Sequence, residues 1–428
     1  MGAQREYKII NDPVHGGIRV EGVVLELLAT PEVNKLSFIR QLGLANLVFP
    51  GANHTRFEHS LGVSFLAGRM GEVLSLPPEE IKLVRAAGLL HDLGHGPFSH
   101  TLEALLRKRI GRDHMQITGD IITGREGSGE VPVILEGAGI DPKEVERLIL
   151  STPLKEERSL ESFVDGEGQI FFRGRGYLNQ IIHSAIDADQ LDYLLRDSHY
   201  TGVALGMVDL PRLLNTLVLY HNELMVHRRG LSALEGMLVA RDLMYNAVYF
   251  HKTVRIAERM LVEAVDRLGE EKMGEVWDMV DGDLLCHLKA AGGYPAEIAR
   301  RIMSRRLYKS AYILKAESAE DRHFEVLRKL KDEEELKELE EAIRRKVGGG
   351  EGEVLIDLPT GEIAVSEPRL RRADVKVLDD GRPIPVSRIS SFARALQYRY
   401  TPAWYLMVCC EERLRGKVSK VAEDIIFG

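Results

Sequence analysis

Cysteine is nearly missing from this sequence, with Cys286, Cys409 and Cys410 the whole complement. An odd, badly spaced set offers neither a disulfide framework nor a thiolate metal site, and it fits a reducing, intracellular compartment. The chain also lacks any apolar run long enough to span a bilayer, its amino terminus has no apolar signal region, and Glu6 stands where N-terminal lipid attachment needs Ser or Thr. A cytoplasmic protein with no membrane partner is expected. Positive charge is not in excess: the net charge is -8, which gives no general attraction to nucleic acid. Clusters such as Arg300, Arg301, Arg305 and Arg306, or Arg369, Arg371 and Arg372, then read as solvated surface. With 44% apolar and 29% charged residues, disorder is excluded as well.

What is present is a chain of 428 residues, more than one hydrophobic core usually serves. The expected class is mainly α: a helical body over residues 1–347 and a small α+β lobe over 348–428. Tyr7 to Val20 reads as a short hairpin around Asn-Asp-Pro and Gly-Gly. Helical spacing of apolar residues continues over Gly62 to Leu74, Ile81 to His91, Leu178 to Leu195, Leu231 to Leu268 and Glu297 to Ile313. Lys331 to Lys346 is dense in Glu, Lys and Arg of alternating sign, which suits an exposed helix ending at Gly348-Gly349-Gly350. Beyond it, Glu353 to Leu358 and Asp374 to Leu378 are strand-like, Asp379-Asp-Gly381 is a turn, and Ser391 to Leu396 and Ala403 to Arg415 look helical.

The densest chemical signal is His91-Asp92-Leu93-Gly94-His95-Gly96-Pro97-Phe98-Ser99-His100. The apolar periodicity of Ile81, Val84 and Ala87 continues onto His91, which should therefore point inward. His59 shares a face with Val63, Leu66 and Met70, and Asp189 falls in line with Ile182, Ala185 and Tyr193. One buried His or Asp is ordinarily a hydrogen-bonded core residue. Three separate segments all offering ligands on apolar faces are better explained by a divalent cation, because a buried carboxylate costs several kcal/mol unless compensated. Imidazoles mixed with carboxylates suit a borderline or hard metal that acidifies water and polarises phosphoryl oxygens.

These segments resemble the HD-domain hydrolases, whose metal site is an upstream His, a His-Asp pair and a distant Asp: here His59, His91 with Asp92, and Asp189. Lys8 to Gly16, Val48 to Ala52, Arg56 to Val63, Gly88 to His100 and Asp189 to Asp197 narrow the likeness to the deoxynucleotide triphosphohydrolases of the SAM-and-HD-domain type, with no SAM module preceding. The resemblance implies hydrolysis of a dNTP to deoxynucleoside and triphosphate, with one divalent transition metal (Fe, Mn, Zn or Ni), Mg on the substrate's phosphates, and a homodimer or homotetramer. It implies phosphate contacts from Arg56 and Arg241 and active-site roles for His95, His100 and His114, supported by Glu103. It also puts Gln41, Leu42, Tyr193, Asp197 and Tyr249 around the deoxyribose.

Two departures bear on substrate. Gln190 stands where the family has a lysine beside the metal-binding Asp, and Met115 where it has a Glu after the active-site histidine. A neutral contact at Gln190 is about half as strong as a charge-assisted one. This keeps open a phosphatase or phosphodiesterase acting on nucleoside monophosphates or cyclic nucleotides; a further alternative, since fold alone does not fix function, is a nucleotide- or nucleic-acid-binding regulator whose metal is structural. Ala29, Asn34 and Ser37 stand where the family's activating guanine-nucleotide site has Asp, Gln and Arg, with Asn11 alone retained, so activation through those contacts is not expected.

Overall fold

The computed structural model describes residues 6–150, 162–164, 170–172, 175–269, 276–330, 333–358, 375–398 and 404–428. Helices dominate, and the expected hairpin forms from β1 (Tyr7–Asp12) and β2 (Gly16–Glu21), paired from Tyr7 with Glu21 to Asp12 with Gly16. Ile18 and Val20 of β2 enter the main core, whereas Ile9 of β1 is exposed.

At the centre lies the His59 helix, Arg56–Val73. Its first turn is capped by Glu58, whose carboxylate accepts from the Thr55 amide at 2.6 Å and hydroxyl at 3.1 Å. Apolar residues surround nearly its whole circumference, so it has no single wet face and is packed from several sides. The helix Pro78–Leu90 crosses it closely because Gly88 has no side chain: a Cβ there would meet Ser64 Cα and the Val63 carbonyl carbon at 3.1 Å. That helix ends at Leu90, with His91 as its C-cap, and the chain from His91 to Ser99 runs as tight turns. A Cβ on Gly94 would lie 2.0 Å from the His114 carbonyl oxygen, so only glycine lets the helix His114–Ile122 sit against this turn. Phe98 and Ser99 hold positive φ, 51° and 37°, before the helix His100–Ile110 begins. Strained backbone of this kind persists where the surroundings over-determine it, and here the Phe98 amide is held by Asp281 at 2.8 Å.

The helical run expected from Leu178 to Leu195 is two helices, Gly176–Ile182 and Ala188–Thr201. Asp187 makes the break: its carboxylate accepts from the Gln190 and Ser184 amides, both at 2.7 Å, and starts the second helix afresh. Likewise the run from Leu231 to Leu268 divides into Leu231–Met244 and Lys252–Asp266, separated by a wide turn at Tyr245–Tyr249.

The C-terminal part departs most from its sequence pattern. The helix expected from Glu297 to Ile313 is Gly293–Met303 followed by a strand, Lys309–Lys315, and the helix expected over Ala403 to Arg415 is the strand Trp404–Cys410. That strand is central in an antiparallel sheet between Lys309–Lys315 and Val354–Asp357, and every one of its residues is buried. A strand covered on both faces loses its alternation, so periodicity cannot separate it from a helix. The helix lies just beyond, at Arg415–Phe427. The charged helix forms as Glu333–Val347, and the turn Asp379 to Gly381 joins strands Lys376–Asp379 and Arg382–Pro385. Lys331 and Asp332 at the start of the charged run, the cluster Arg369, Arg371 and Arg372, Asp374 and Ala403 lie outside the described residues. A second sheet, ordered Arg382–Pro385, Lys376–Asp379, Glu223–His227, Leu217–Tyr220, joins the C-terminal segment to the helical body through parallel pairing of Val226 with Val377.

One close approach makes a test of this packing. A Cβ on Gly62 would lie 1.9 Å from Asp192 Oδ1 and 2.5 Å from Arg196 Nη2, both buried. Gly62→Ala is expected to lose about 1–3 kcal/mol in urea unfolding. Gly236→Ala, in the helix Leu231–Met244 with no described atom within 4 Å of the added carbon, should gain up to about 1 kcal/mol. Equal effects of the two substitutions would contradict the packing.

Candidate metal centre and active site

Three elements bring His59, His91 and Asp189 together: the central helix, the C-cap of Pro78–Leu90, and the first turn of Ala188–Thr201. One ligand atom from each lies within 4.8 Å of the others, and this is the group found among the described residues that could hold a metal ion. His59 Nε2 is 3.2 Å from Asp189 Oδ1, and His91 Nε2 is 4.0 Å from the same oxygen.

Both imidazoles are oriented by their other nitrogen. His59 Nδ1 donates to Asp192 Oδ2 at 2.8 Å, and His91 Nδ1 donates to the Gly88 carbonyl at 2.9 Å. With each Nδ1 serving as donor, each Nε2 is the nitrogen left to bind a cation, an arrangement metal-binding histidines ordinarily need. His91 Nε2 is buried without a hydrogen-bond partner among the described residues. Such an orphan is costly unless something fills the position, so the residues fit a divalent cation. Burial opposes protonation of His59, yet hydrogen bonds with Asp189 and Asp192 push its pKa up to about 10 without the metal. Burial would raise the Asp189 carboxyl, but His59 and His91 hold it below the ordinary range.

Asp92 stands at the edge of this group, 3.3 Å from His91 Nε2 and 4.0 Å from His59 Nε2. Its other contacts are Arg56 Nη1 at 2.6 Å and His95 Nε2 at 3.4 Å. Burial acts against its charge, but Arg56, His91 and His95 keep its pKa well below normal. Arg56 is itself buried, its Nε donating to Ser99 Oγ at 2.5 Å, while its Nη2 has no hydrogen-bond partner among the described residues.

The remaining histidines form a second cluster. His95 and His114 stack, centroids 4.1 Å apart, with His100 edge-on to His95 at 5.1 Å. Glu103 accepts from Nδ1 of both His114 and His100. Burial, Arg56 and His114 lower the His95 pKa well below that of a free imidazole, so this ring is neutral.

On the other flank, Tyr193 and Tyr249 meet edge to face at 6.1 Å, and burial raises both phenols well above their usual pKa. Tyr249 donates to Asp197 Oδ2 at 2.7 Å, and His54 Nε2 is 2.8 Å from Asp197 Oδ1. The Gln41 backbone N–H donates to the His54 carbonyl at 3.0 Å, its side-chain Oε1 has no partner among the described residues, and neighbouring Leu42 packs on the core. Gln190 is bonded at both ends: Oε1 accepts from Arg241 Nη1 at 2.6 Å, and Nε2 donates to the Ser184 carbonyl at 2.6 Å.

Sequence reasoning missed His15, His54, Asp192 and Arg196. Asp192 and Arg196 follow Asp189 at the helical spacings that could have drawn attention to them, whereas His15, although inside the Lys8 to Gly16 segment, comes from a distant hairpin and no spacing along the chain linked it to Asp192.

An HD domain model matches residues 56–197, the span that holds His59, His91, Asp92 and Asp189, and a model described as an HD associated region matches residues 208–427, just over half of the chain. An uncharacterized protein of Methanocaldococcus jannaschii is 36% identical over 310 residues, 71% of this chain and 59% of that protein. A deoxynucleoside triphosphate triphosphohydrolase of Bos taurus is 32% identical over 287 residues, 61% of this chain and 47% of that protein. The chain thus spans about half the length of the curated relatives it matches. A solved structure of a hypothetical protein from Aquifex aeolicus has a TM-score of 0.72 at 29% identity, covering 97% of this chain and 99% of its own. With its metal-compatible centre inside the first matched region and the second region covering most of the remaining chain, the protein belongs to the HD-domain phosphohydrolase family.

Proposed function

We propose that the protein hydrolyses deoxynucleoside triphosphates to deoxynucleoside and triphosphate. The observation that carries this reading is the orphaned His91 Nε2 converging with His59 Nε2 and Asp189, beside an Arg56 guanidinium with one nitrogen unpartnered among the described residues. His59, His91, Asp92 and Asp189 would hold a divalent transition ion, which would supply Lewis acidity to a phosphoryl group and acidify water. Arg56 and Arg241 stabilise charge on the phosphates, and both are buried where such contacts are strong. Glu103 holds His114 by Nδ1 and leaves Nε2 as the nitrogen that passes a proton to the leaving 5' oxygen. Tyr193 and Tyr249, with Asp197 and Gln41, form the surface against which a deoxyribose packs.

Gln190 keeps a second reading in view. Its amide is spent on Arg241 and Ser184, so outer phosphates meet one cation fewer than a lysine would supply, which favours monophosphates or cyclic nucleotides. Incubating metal-reconstituted protein with dNTPs, NTPs, monophosphates and cyclic nucleotides, with products separated by chromatography, decides between them. Inorganic triphosphate from dNTPs supports the proposal, and orthophosphate from monophosphates with inert dNTPs replaces it by the alternative.

Asp189→Ala and Asp92→Ala are each expected to abolish hydrolysis and reduce bound metal while helical content stays unchanged. Full activity with undiminished metal in either variant would refute the ligand assignment. Guanine nucleotides are not expected to be required, since Ala29, Asn34 and Ser37 lack charge. A dCTP or dTTP assay that is inert until GTP is added would reverse that expectation.

A further inference from the structure

The hairpin tip carries polar side chains into the interior that its docking does not require. Ile18 and Val20 already bury β2 in the core, yet Asp12 and the side chain of His15 are buried too. His15 Nε2 lies 2.6 Å from Asp192 Oδ1, the carboxylate whose other oxygen holds His59 Nδ1 at 2.8 Å. Arg196 closes the set with Nη2 to Oδ1 at 2.9 Å and Nε to Oδ2 at 2.8 Å. Asp192 therefore accepts at all the positions an ionised carboxylate offers, and both of its histidine partners are donors. Asp12 fixes the other end, with Oδ1 accepting from the Val14 and His15 amides and Oδ2 from Arg196 Nη1 at 2.8 Å.

Buried ionic networks of this kind contribute little to stability compared with apolar side chains of the same volume, so stability alone does not account for this one. What it does is fix the rotation of Asp192, and through it the ring plane and tautomer of His59. We propose that His15 is a positioning residue for the metal centre, acting through Asp192 to aim His59 Nε2 at the cation. The inference rests on the metal assignment above and extends the site to the N-terminal hairpin.

His15→Gln and His15→Asn separate this from a general role in folding. Both are polar and uncharged, and they differ by one methylene: the Gln amide reaches as far as imidazole Nε2, whereas the Asn amide stops short. The probe is Co(II) alone, added to the metal-free full chain, with affinity measured by chelator competition and the ligand field read from its visible absorption. His15→Asn should weaken Co(II) binding about 10–100-fold and alter the spectrum, and His15→Gln should recover most of both. Because His15→Asn leaves the buried Asp192 one donor short, its metal-free melting temperature should fall below that of His15→Gln, and both affinities are read well below either transition. Wild-type affinity and spectrum in His15→Asn, or equal weakening in both variants, would overturn the proposal. If the unaltered protein itself fails to bind Co(II), the metal assignment falls, and this inference falls with it.

Discussion

The Asp192 carboxylate is the fixed point around which the centre is assembled. It is a fully buried anion, and removing it from water costs several kcal/mol before any partner is counted. Burial opposes its ionisation, but Arg196, His15 and His59 hold its pKa far below normal. Those partners come from the hairpin, the central helix and its own helix, so the three cannot shift independently without leaving a buried charge short of a donor. Gly62 belongs to the same constraint, since a side chain there would occupy the space of the carboxylate oxygen.

Charge is distributed differently on the two sides of the metal-compatible group. Asp189 and Asp92 supply negative charge where a cation would sit, while Arg56 lies just beyond Asp92 with one guanidinium nitrogen still unpartnered among the described residues. Next to it His95 is held neutral by burial and by that same arginine. A neutral ring there can accept or donate a hydrogen bond without adding to or cancelling the arginine's charge, which leaves Arg56 as the local positive charge.

Much of this was legible in the sequence because it depends on local spacing. His59 and His91 lie on apolar periodic faces, and the structure buries both. The helical class and the hairpin followed from periodicity and turn residues. What escaped had non-local causes. Asp187 breaks an otherwise helical run by capping, and Trp404–Cys410 is a strand because two other strands, distant in sequence, cover its edges. His15 and Asp192 are 177 residues apart, so no window along the chain could pair them.

Gln190 shows how a single replacement changes what its neighbours can do. A lysine at this position would add a flexible positive charge, but it could not accept a hydrogen bond from Arg241. Gln190 Oε1 accepts that bond at 2.6 Å while its Nε2 is anchored on Ser184, so the guanidinium is tied to the same turn that presents Asp189. Burial acts against the charge of Arg241, yet its surroundings raise its pKa and keep it cationic. The exchange removes one flexible cation and immobilises the one that remains. An immobilised guanidinium loses less conformational freedom when it binds a phosphate, whereas a second positive charge would strengthen the hold on a longer phosphate chain. In the proposed reaction, which of these wins would depend on how many phosphates must be held beside the Gln190–Arg241 pair.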